Sequence, residues 1–377
     1  MAKKKNSAKK TARSVEKAIR KSKHPVLWTV ALLLIVAIVL GVWYFCVYKK
    51  NQTPKIGSIK TGEMAIHFME LGNKYAGDSI YIQIGDIDIL VDSGSRQSSA
   101  KTTGDYIAQY CKDGVLEYVI ATHADQDHIA GFVGTKSEKG IFERFECKTI
   151  IDFPLTDKTT EVYKSYVAAR EKEVEAGATH YTALECWKEE KGAKRVYELA
   201  EGVSLHILYN KFYEERSADE NNYSVCFLLK QGDYNYLFTG DLEKEGEEAL
   251  VKNNDLPQCK LFKAGHHGSK TSSTEALLSV VRPEYVCITC CAGAPEYTTN
   301  VDNIFPTKDA LKRIEKYTEK IYVTSLATEV NVPEKEWEYT SMNGNIVFIS
   351  DGIDCRVECS DSTALLKDTE WYKENRA

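Results

Sequence analysis

The chain has 377 residues, of which 49 are Lys or Arg and 55 are Asp or Glu, and its formal net charge is −6 at pH 7. Length alone allows two or three domains. The sequence contains no low-complexity repeat and no cluster of C-x-x-C pairs, so none of its 11 cysteines is assigned to a zinc ribbon. The charge is uneven, because residues 1–24 hold ten Lys or Arg and one acid, which leaves 39 basic and 54 acidic residues elsewhere.

The first 24 residues are predicted to be a disordered basic tail, since they contain too little apolar surface to bury a core. Residues 26–48 then run for 23 positions without a charge, with Trp28 near one end and Trp43 near the other. This length spans a bilayer and the aromatic residues suit its interfaces, so we predict a transmembrane helix over 25–48. A cleaved signal peptide is the alternative, but the apolar core is too long and no small-x-small cleavage site follows.

The basic tail also predicts the orientation of this helix. Basic residues stay on the cytoplasmic side, so we expect a cytoplasmic N-terminus and a catalytic domain outside the cell membrane. Residues 49–61 are interpreted as a linker to that domain. Contact of the tail with anionic lipid is a further expectation.

The most informative stretch is residues 122–131, T-H-A-D-Q-D-H-I-A-G, which follow an apolar run. A lone His or Asp in such a place is usually a turn residue, but H-x-D-x-D-H gathers four metal-competent side chains on one loop. Residues two apart in an extended segment face the same side, so His123 and Asp125 can serve one ion. Asp127 and His128, beyond a bend, can serve a second, and the pattern therefore predicts a two-metal cluster.

Two later segments present further ligand residues at strand ends. Residues 234–241 form an aromatic-rich strand that ends in Asp241, whose carboxylate could bridge two cations. Residues 261–269 are a short apolar run that opens onto His266 and His267. Three strand ends of this kind favour one shared metal site over three unrelated loops.

These motifs resemble the metallo-β-lactamase superfamily and, within it, the extracellular hydrolase domain of ComEC-like competence proteins. The resemblance covers about residues 63–351 and rests on four segments in matching order, which are ELGNKYAGDSIYIQIGDIDILVDSG at 70–94, THADQDHIAGF at 122–132, NNYSVCFLLKQGDYNYLFTGDLE at 221–243 and KAGHHGSKTSS at 263–273. It implies an α/β (α+β) fold, a four-layer αββα sandwich, over residues 62–360. Residues 361–377 are expected to be a polar C-terminal tail that frays.

By this resemblance, two divalent ions, Zn²⁺ or Mn²⁺, are held by ligands on the three loops, which are His123, Asp125, Asp127, His128, Asp241 and one or both of His266 and His267. Asp127 and Asp241 are the expected catalytic residues, because Asp241 would bridge the ions and Asp127 could receive a proton from the attacking water. Asp92 is expected to orient the ligand loop. Ser269 and Lys270 could donate to phosphate oxygens, although capping the next helix is the alternative role for this segment.

The sequence departs from the superfamily pattern in two places. Asp125 stands where His is common, and residues 221–224 contain no further His. Oxygen ligands in place of imidazoles make a site harder, which favours Mn²⁺ or Mg²⁺ over Zn²⁺. Residues 303–306, N-I-F-P, lack the His that the competence branch usually has, so a substrate or proton-transfer contact of that branch is not expected here.

Hydrophobic periodicity predicts the remaining elements. Strands are expected at 64–68, 79–84, 88–91, 116–121, 148–153, 203–209, 223–230, 234–239, 285–290, 321–324, 337–341 and 345–350. Helices are expected at 102–112, 246–253, 275–281 and 308–316. The charged segment 158–202 is predicted to form a surface helix pair over the approach to the site.

Other His and Cys residues are interpreted as structural. His180 is typical of a solvated face and His206 of a packed strand, rather than of metal ligands. Cys226 lies within an apolar strand and is expected to be buried as a small hydrophobic residue. An extracellular location permits disulfides, and Cys355 and Cys359 could pair if the residues between them turn.

The resemblance implies a nuclease or phosphodiesterase acting on a phosphodiester, with DNA as one candidate. The formal net charge of −15 outside the tail argues against a DNA-binding surface, although Lys263, Lys270 and Lys308 could form a local basic stripe. Any role in DNA uptake would need membrane partners. The alternatives are hydrolysis of a choline-phosphate ester, lactone or lactam in a pocket walled by Tyr297 or Trp187, and a non-catalytic metal-containing binding module.

Overall fold

The computed structural model describes residues 30, 33, 34, 56–330 and 332–376. The residues from 56 onward form one compact unit. The basic tail and nearly all of the predicted transmembrane segment lie outside the described residues, so both remain predictions. Within the described residues, no helix combines the length and the apolar character that a membrane span requires.

The unit is built on two mixed sheets of eight strands each. In spatial order, the first sheet contains β16 (Cys355–Cys359), β15 (Ile346–Ser350), β1 (Met64–Phe68), β2 (Ile80–Ile84), β3 (Ile87–Val91), β4 (Val115–Ile120), β5 (Glu146–Asp152) and β6 (Thr179–Thr182). The second contains β14 (Glu338–Ser341), β13 (Ile321–Glu329), β12 (Tyr285–Ala292), β11 (Leu261–Lys263), β10 (Tyr234–Phe238), β9 (Phe227–Gln231), β8 (Val203–Ile207) and β7 (Val196–Ala200). Strands β3 to β6 and strands β10 to β13 are parallel, whereas the other neighbours are antiparallel.

Helices connect the strands and pack against each sheet. They are α1 (Ser99–Ile107), α2 (Gln126–Ile129), α3 (Ile141–Arg144), α4 (Glu161–Ala176), α5 (Ala183–Lys188), α6 (Lys244–Asn253), α7 (Glu275–Val281), α8 (Lys308–Ile314) and α9 (Glu370–Asn375). Five of them begin after a threonine whose hydroxyl accepts a backbone N–H of the first turn, namely Thr160, Thr182, Thr274, Thr307 and Thr369. Each such cap contributes about 1 kcal/mol and fixes where the helix begins.

The two sheets share one hydrophobic core. Phe68 of the first sheet stacks on Phe238 of the second with ring centroids 6.5 Å apart, and Phe348 meets Tyr236 edge to face at 5.8 Å. A second cluster lies between the second sheet and its helices, and it includes Leu250, Leu277 and Leu311. The predicted α/β fold with two mixed sheets is therefore confirmed.

The strand ends explain how distant motifs meet. Parallel neighbours end at the same edge of a sheet, so β3 and β4 deliver Asp92 and the loop that begins at Ala121 side by side. Strands β10 and β11 do the same for Asp241 and the loop after Lys263. The two edges contact each other, because Val225 N donates to Thr122 O at 2.8 Å.

The structure corrects the prediction for residues 158–202. Instead of a helix pair, this segment contains one long helix, α4, followed by β6, α5 and β7. The new strands lie at the edges of the two sheets, where one side of a strand stays polar. Their sequences, T-H-Y-T and V-Y-E-L-A, therefore carry weak hydrophobic alternation, and the charge of the segment hid them. The edge strand β16 escaped prediction in the same way.

The expectation that the C-terminal tail frays is also corrected. Residues after Asp361 do not fray but form a short turn and helix α9, with Leu366 buried. Arg376 donates from Nε to Pro306 O at 2.8 Å and from Nη2 to Ile304 O at 3.0 Å, which ties this end to the folded unit.

The ten cysteines in the described residues are all free thiols. The expected pairing of Cys355 with Cys359 does not form, because both residues lie on the straight strand β16. Cys226 is buried, as predicted for a small hydrophobic residue.

Candidate metal centre

Four predicted ligands from three loops converge on one point. One ligand atom from each of Asp127, His128, Asp241 and His267 lies within 4.8 Å of all the others. Nε2 of His128 and Nε2 of His267 each lie 3.1 Å from Asp241 Oδ2, and His267 Nε2 lies 3.5 Å from Asp127 Oδ2. One oxygen of Asp241, Oδ2, therefore lies close to both imidazoles of the cluster.

The imidazoles fit a metal ion. Among the described residues, the Nε2 atoms of His123, His128 and His267 are buried and make no hydrogen bond of good geometry, although two of them lie 3.1 Å from Asp241 Oδ2. Buried polar atoms of this kind are rare unless an ion or water satisfies them. The Nδ1 atom of His267 is 2.8 Å from Thr289 O, a carbonyl that can only accept, so Nδ1 carries the proton and the Nε2 lone pair faces the cluster. This donor set of imidazole nitrogens and carboxylate oxygens suits Zn²⁺ or Mn²⁺.

The electrostatics of the cluster also favour a cation. Burial raises the pKa of Asp241, but the neighbouring His128, His267 and Lys263 outweigh it and hold that pKa well below its usual range. Burial lowers the pKa of His128, but Asp241 and Asp92 raise it well above the ordinary value. The carboxylates therefore demand positive charge at this point, and a divalent ion would supply it.

Asp92 is hydrogen-bonded to the loop that carries the predicted ligands. It is fully buried and accepts hydrogen bonds of 2.7 Å from Thr122 N, from Thr122 Oγ1 and from His128 Nδ1. These bonds fix the ligand loop and the ring of one ligand. Gly94, two residues later, lets the turn approach that loop, because a Cβ there would lie 1.5 Å from Asp127 O.

Sequence reasoning missed a buried ion pair beneath the cluster. Lys263 is 1% exposed, pairs with the buried Asp78 and lies 3.4 Å from Asp241 Oδ1. Asp78 also lies 3.4 Å from His267 Nδ1 and accepts from the hydroxyl of Thr289. The position of Asp78 directly before a predicted strand indicated that it could be buried. Its partner Lys263 is distant in sequence, so the pairing itself could not be predicted. The burial of Lys263 also removes it from the expected basic stripe.

The structure separates the two adjacent histidines. His266 and His267 both have positive φ angles, 46° and 53°, which turn their side chains to different sides. His267 enters the four-residue cluster, whereas His266 Nδ1 lies 3.3 Å from Glu243 Oε1 and its ring lines the cavity. Of the pair, His267 has the geometry of a ligand.

Asp125 and His123 lie beside the four-residue cluster. Asp125 Oδ2 is 3.7 Å from His123 Nε2, and its other oxygen forms an ion pair with Lys158. His123 Nδ1 is 3.1 Å from Thr122 Oγ1, which turns Nε2 toward the site. These two residues form a second, smaller set of donors, and Lys158 was not predicted.

An open cavity of about 560 Å³ leads to the cluster. The cavity is lined by Ser269 and Lys270, whose predicted role in substrate binding stays a prediction, together with Arg96, Asn221, Tyr297, Asn303 and Phe305. Tyr297 Oη donates to Asp127 Oδ2 at 2.9 Å, and its ring lies 5.9 Å from that of Phe305. The other expected aromatic wall is absent from this lining, because Trp187 packs on Arg195 and Tyr209 instead.

Two further histidines, His180 and His206, lie away from the cluster and form hydrogen bonds with other side chains. His180 Nε2 lies 2.8 Å from Asp152 Oδ1, and the buried Asp152 also pairs with Arg170. His180 is therefore anchored to a buried acid rather than solvated. His206 lies on β8, half-buried, with Nε2 2.8 Å from Ser204 Oγ.

Comparison with known proteins supports this geometry. A family profile described as the metallo-β-lactamase superfamily matches residues 72–141 and 215–290. Both parts of the cluster fall inside these ranges, since the first contains the 123–128 loop and the second contains Asp241 and His267.

Two curated relatives are similar to part of this chain. Recombination protein 2 of Haemophilus influenzae is 27% identical over 247 residues, which are 65% of this chain and 26% of that protein. Competence protein ComA of Neisseria gonorrhoeae is 27% identical over 262 residues, which are 68% of this chain and 31% of that protein. The chain thus spans less than a third of the length of these relatives, and the predicted likeness to competence proteins is confirmed.

Among solved structures, the metallo-β-lactamase fold protein YhfI from Bacillus subtilis is similar to this chain. The match covers 70% of this chain and 97% of that one, with 12% identity and a TM-score of 0.38.

Proposed function

We propose, on the premise that the chain contains a domain of the metallo-β-lactamase superfamily, that this domain is a metal-dependent hydrolase of phosphodiester bonds. The observation that carries the proposal is the set of buried Nε2 atoms without hydrogen bonds, which point with Asp127 and Asp241 toward one end of an open cavity. Such a site has ligands for divalent ions and room for a substrate beside them.

We assign separate roles to the residues of the site. Asp127, His128, Asp241 and His267 would hold one ion, with His123 and Asp125 as the donors for a second. When bound, the ions would lower the pKa of water and neutralise charge on phosphoryl oxygens. Asp127 would receive a proton from the attacking water, and the hydrogen bond from Tyr297 Oη to its Oδ2 would hold the carboxylate in position.

A charged side chain on the cavity wall supports a phosphodiester substrate. The exposed Lys270 lines the cavity, where it would contact phosphate oxygens, and Arg96, which also lines the cavity, is already paired with Glu296 Oε1 at 2.9 Å. The names of the relatives, which refer to recombination and competence, favour DNA. The net negative charge outside the tail and the burial of Lys263 argue against a long basic surface that could bind duplex DNA. We therefore propose a short or single-stranded substrate.

We further propose that the domain acts outside the cell membrane. The support comes from the sequence alone, where ten basic residues precede 23 uncharged ones. The tail and the helix would hold the domain close to the membrane surface. Protease protection of an N-terminal epitope in sealed cells, with cleavage of the domain, would test this orientation.

A choline-phosphate ester is the second candidate substrate. Tyr297 and Phe305 line the cavity with their rings 5.9 Å apart, and aromatic faces bind quaternary ammonium groups. Under this alternative the phosphate would still meet the metal centre, and the choline group would lie on the two rings.

Hydrolysis by the purified chain would decide between these substrates. The protein is stripped of metal, refilled with Mn²⁺ or Zn²⁺, and given a single-stranded oligonucleotide, bis(p-nitrophenyl) phosphate or p-nitrophenyl phosphorylcholine. We expect cleavage of the oligonucleotide, lost in Asp241→Asn and retained in Asp86→Asn, which alters an exposed acid in the β2–β3 turn. Turnover of the choline ester alone would favour the second candidate, and no turnover of any phosphodiester would refute the proposal.

A further inference from the structure

The two sets of metal donors are unequal. Asp127, His128, Asp241 and His267 supply four converging ligand atoms. In the described part of the chain, His123 and Asp125 belong to no comparable group of three or more His, Cys, Asp or Glu side chains. The nearest groups to His123 Nδ1 are the hydroxyls of Thr122 and Ser224, at 3.1 and 3.4 Å. The second set therefore has half the donors of the first.

In the smaller set, His123 and Asp125, one carboxylate oxygen already forms an ion pair with a lysine. Lys158 Nζ forms an ion pair with Asp125 Oδ1, while Asp125 Oδ2 is the oxygen that lies 3.7 Å from His123 Nε2. The lysine side chain is 32% exposed, so water screens its charge only in part. An ammonium group beside a cation position weakens cation binding twice, because it takes up a donor oxygen and repels the ion.

The loop that carries Lys158 is fastened to the ligand loop. Glu220 accepts hydrogen bonds from Thr156 Oγ1 at 2.7 Å, from Ala124 N at 3.3 Å and from Asp157 N at 3.4 Å. Thr156 Oγ1 in turn accepts from Lys158 N at 3.0 Å. Because one acid holds both loops, the position of the lysine follows from the fold and is not a chance contact of a surface side chain.

We propose that Lys158 makes the His123–Asp125 position a low-affinity cation site, whereas the four-residue position binds a divalent ion tightly. The chain then carries one resident ion, and a second ion joins only when it displaces Lys158 from Asp125. An anionic substrate would add oxygen ligands and negative charge there, so the second ion binds more readily with substrate present. This inference rests on the proposed function, because both require the metal centre.

Counting bound ions tests the inference without measuring activity. The full chain is stripped with a chelator, titrated with Mn²⁺ by isothermal calorimetry, and analysed for metal after desalting. We expect one ion retained per chain and a second, weaker binding event. In Lys158→Met the second event tightens by up to about fivefold, since a partly exposed ion pair contributes up to about 1 kcal/mol. Lys164→Met, which breaks a pair with Glu161 on the surface of α4, leaves both events unchanged.

A second variant keeps the test decisive if Lys158→Met fails to fold. Asp125→Asn should abolish the weaker event and keep the resident ion, because only the smaller donor set loses its carboxylate. Two ions of equal affinity in the unaltered chain, or a second event that Lys158→Met leaves unchanged, would overturn the inference alone. If no variant binds any ion, both the inference and the proposed function are overturned.

Discussion

A buried acid on α6 should make the stability of this domain depend on pH. Glu247 is fully buried, and its two carboxylate oxygens accept from Ser273 N and Thr274 N at 2.7 Å each. Burial raises its pKa from 4.5 to about 7, although these bonds and the charge of Arg313 lower it in part. The folded state therefore holds this proton more tightly than the unfolded chain does. Its contribution to stability is complete below pH 4.5 and is lost as pH rises to about 7.

The expected size of this effect follows from the shift. A rise from 4.5 to about 7 corresponds to roughly 3 kcal/mol of unfolding free energy between the two ends of the range. Glu247→Gln removes the titration, and it also replaces one acceptor by an NH₂ group, which costs about 1 kcal/mol at every pH. The variant should thus be less stable than the unaltered chain at pH 4.5 and more stable at pH 8.

Urea denaturation of both proteins at four pH values between 4.5 and 8, in the presence of a chelator, measures this difference. Glu248→Gln is the matched control, since the neighbouring side chain is 52% exposed and lies on the same helix. Two stability curves that run parallel over the whole range, without crossing, would show that Glu247 is not held protonated by burial.

Three other perturbations have definite expected outcomes. Lys263→Met should cost roughly 3–5 kcal/mol in urea denaturation, because it leaves Asp78 buried without its cation, and adding Asp78→Asn should restore much of that loss. Asp92→Asn should weaken Mn²⁺ binding about 10- to 100-fold in calorimetry while the fold persists by circular dichroism; unchanged affinity would contradict its orienting role. Tyr297→Phe should lower kcat/KM by up to about tenfold, since it removes one hydrogen bond to Asp127, with no change in the number of bound ions; equal activity would place the hydroxyl outside the reaction.

The convergence of the side chains in the four-residue cluster could be predicted because their signal is local. Each ligand loop follows directly after an apolar strand, and side chains such as His128 and Asp241 need only the strand end to bring them together. Lys263 and Asp78 could not be paired in advance, since nothing within a few residues of either indicates that they meet. The same holds for Lys158, which contacts Asp125 only because Glu220 ties two loops together.

The strands that escaped prediction share a physical reason. β6, β7 and β16 lie at sheet edges, where half of each strand faces solvent or a loop and hydrophobic alternation fades. Between the helices α4 and α5, the residues of β6 therefore look like part of a charged helical segment. Central strands such as β1 are buried on both faces, and their continuous apolar residues were enough to predict them.

The contact of Arg376 with the carbonyls of Ile304 and Pro306 has a practical consequence for anyone handling this protein. Phe305, which lies between these two residues, lines the cavity. The C-terminal end after α9 is therefore hydrogen-bonded to the backbone of the cavity wall. A purification tag or fluorescent fusion joined immediately after α9 would disturb the bonds of Arg376 to this wall. It would then change how substrates enter, although every predicted ligand of the metal centre is still in place. Kinetic constants measured with such a fusion would then describe the fusion and not the unaltered chain.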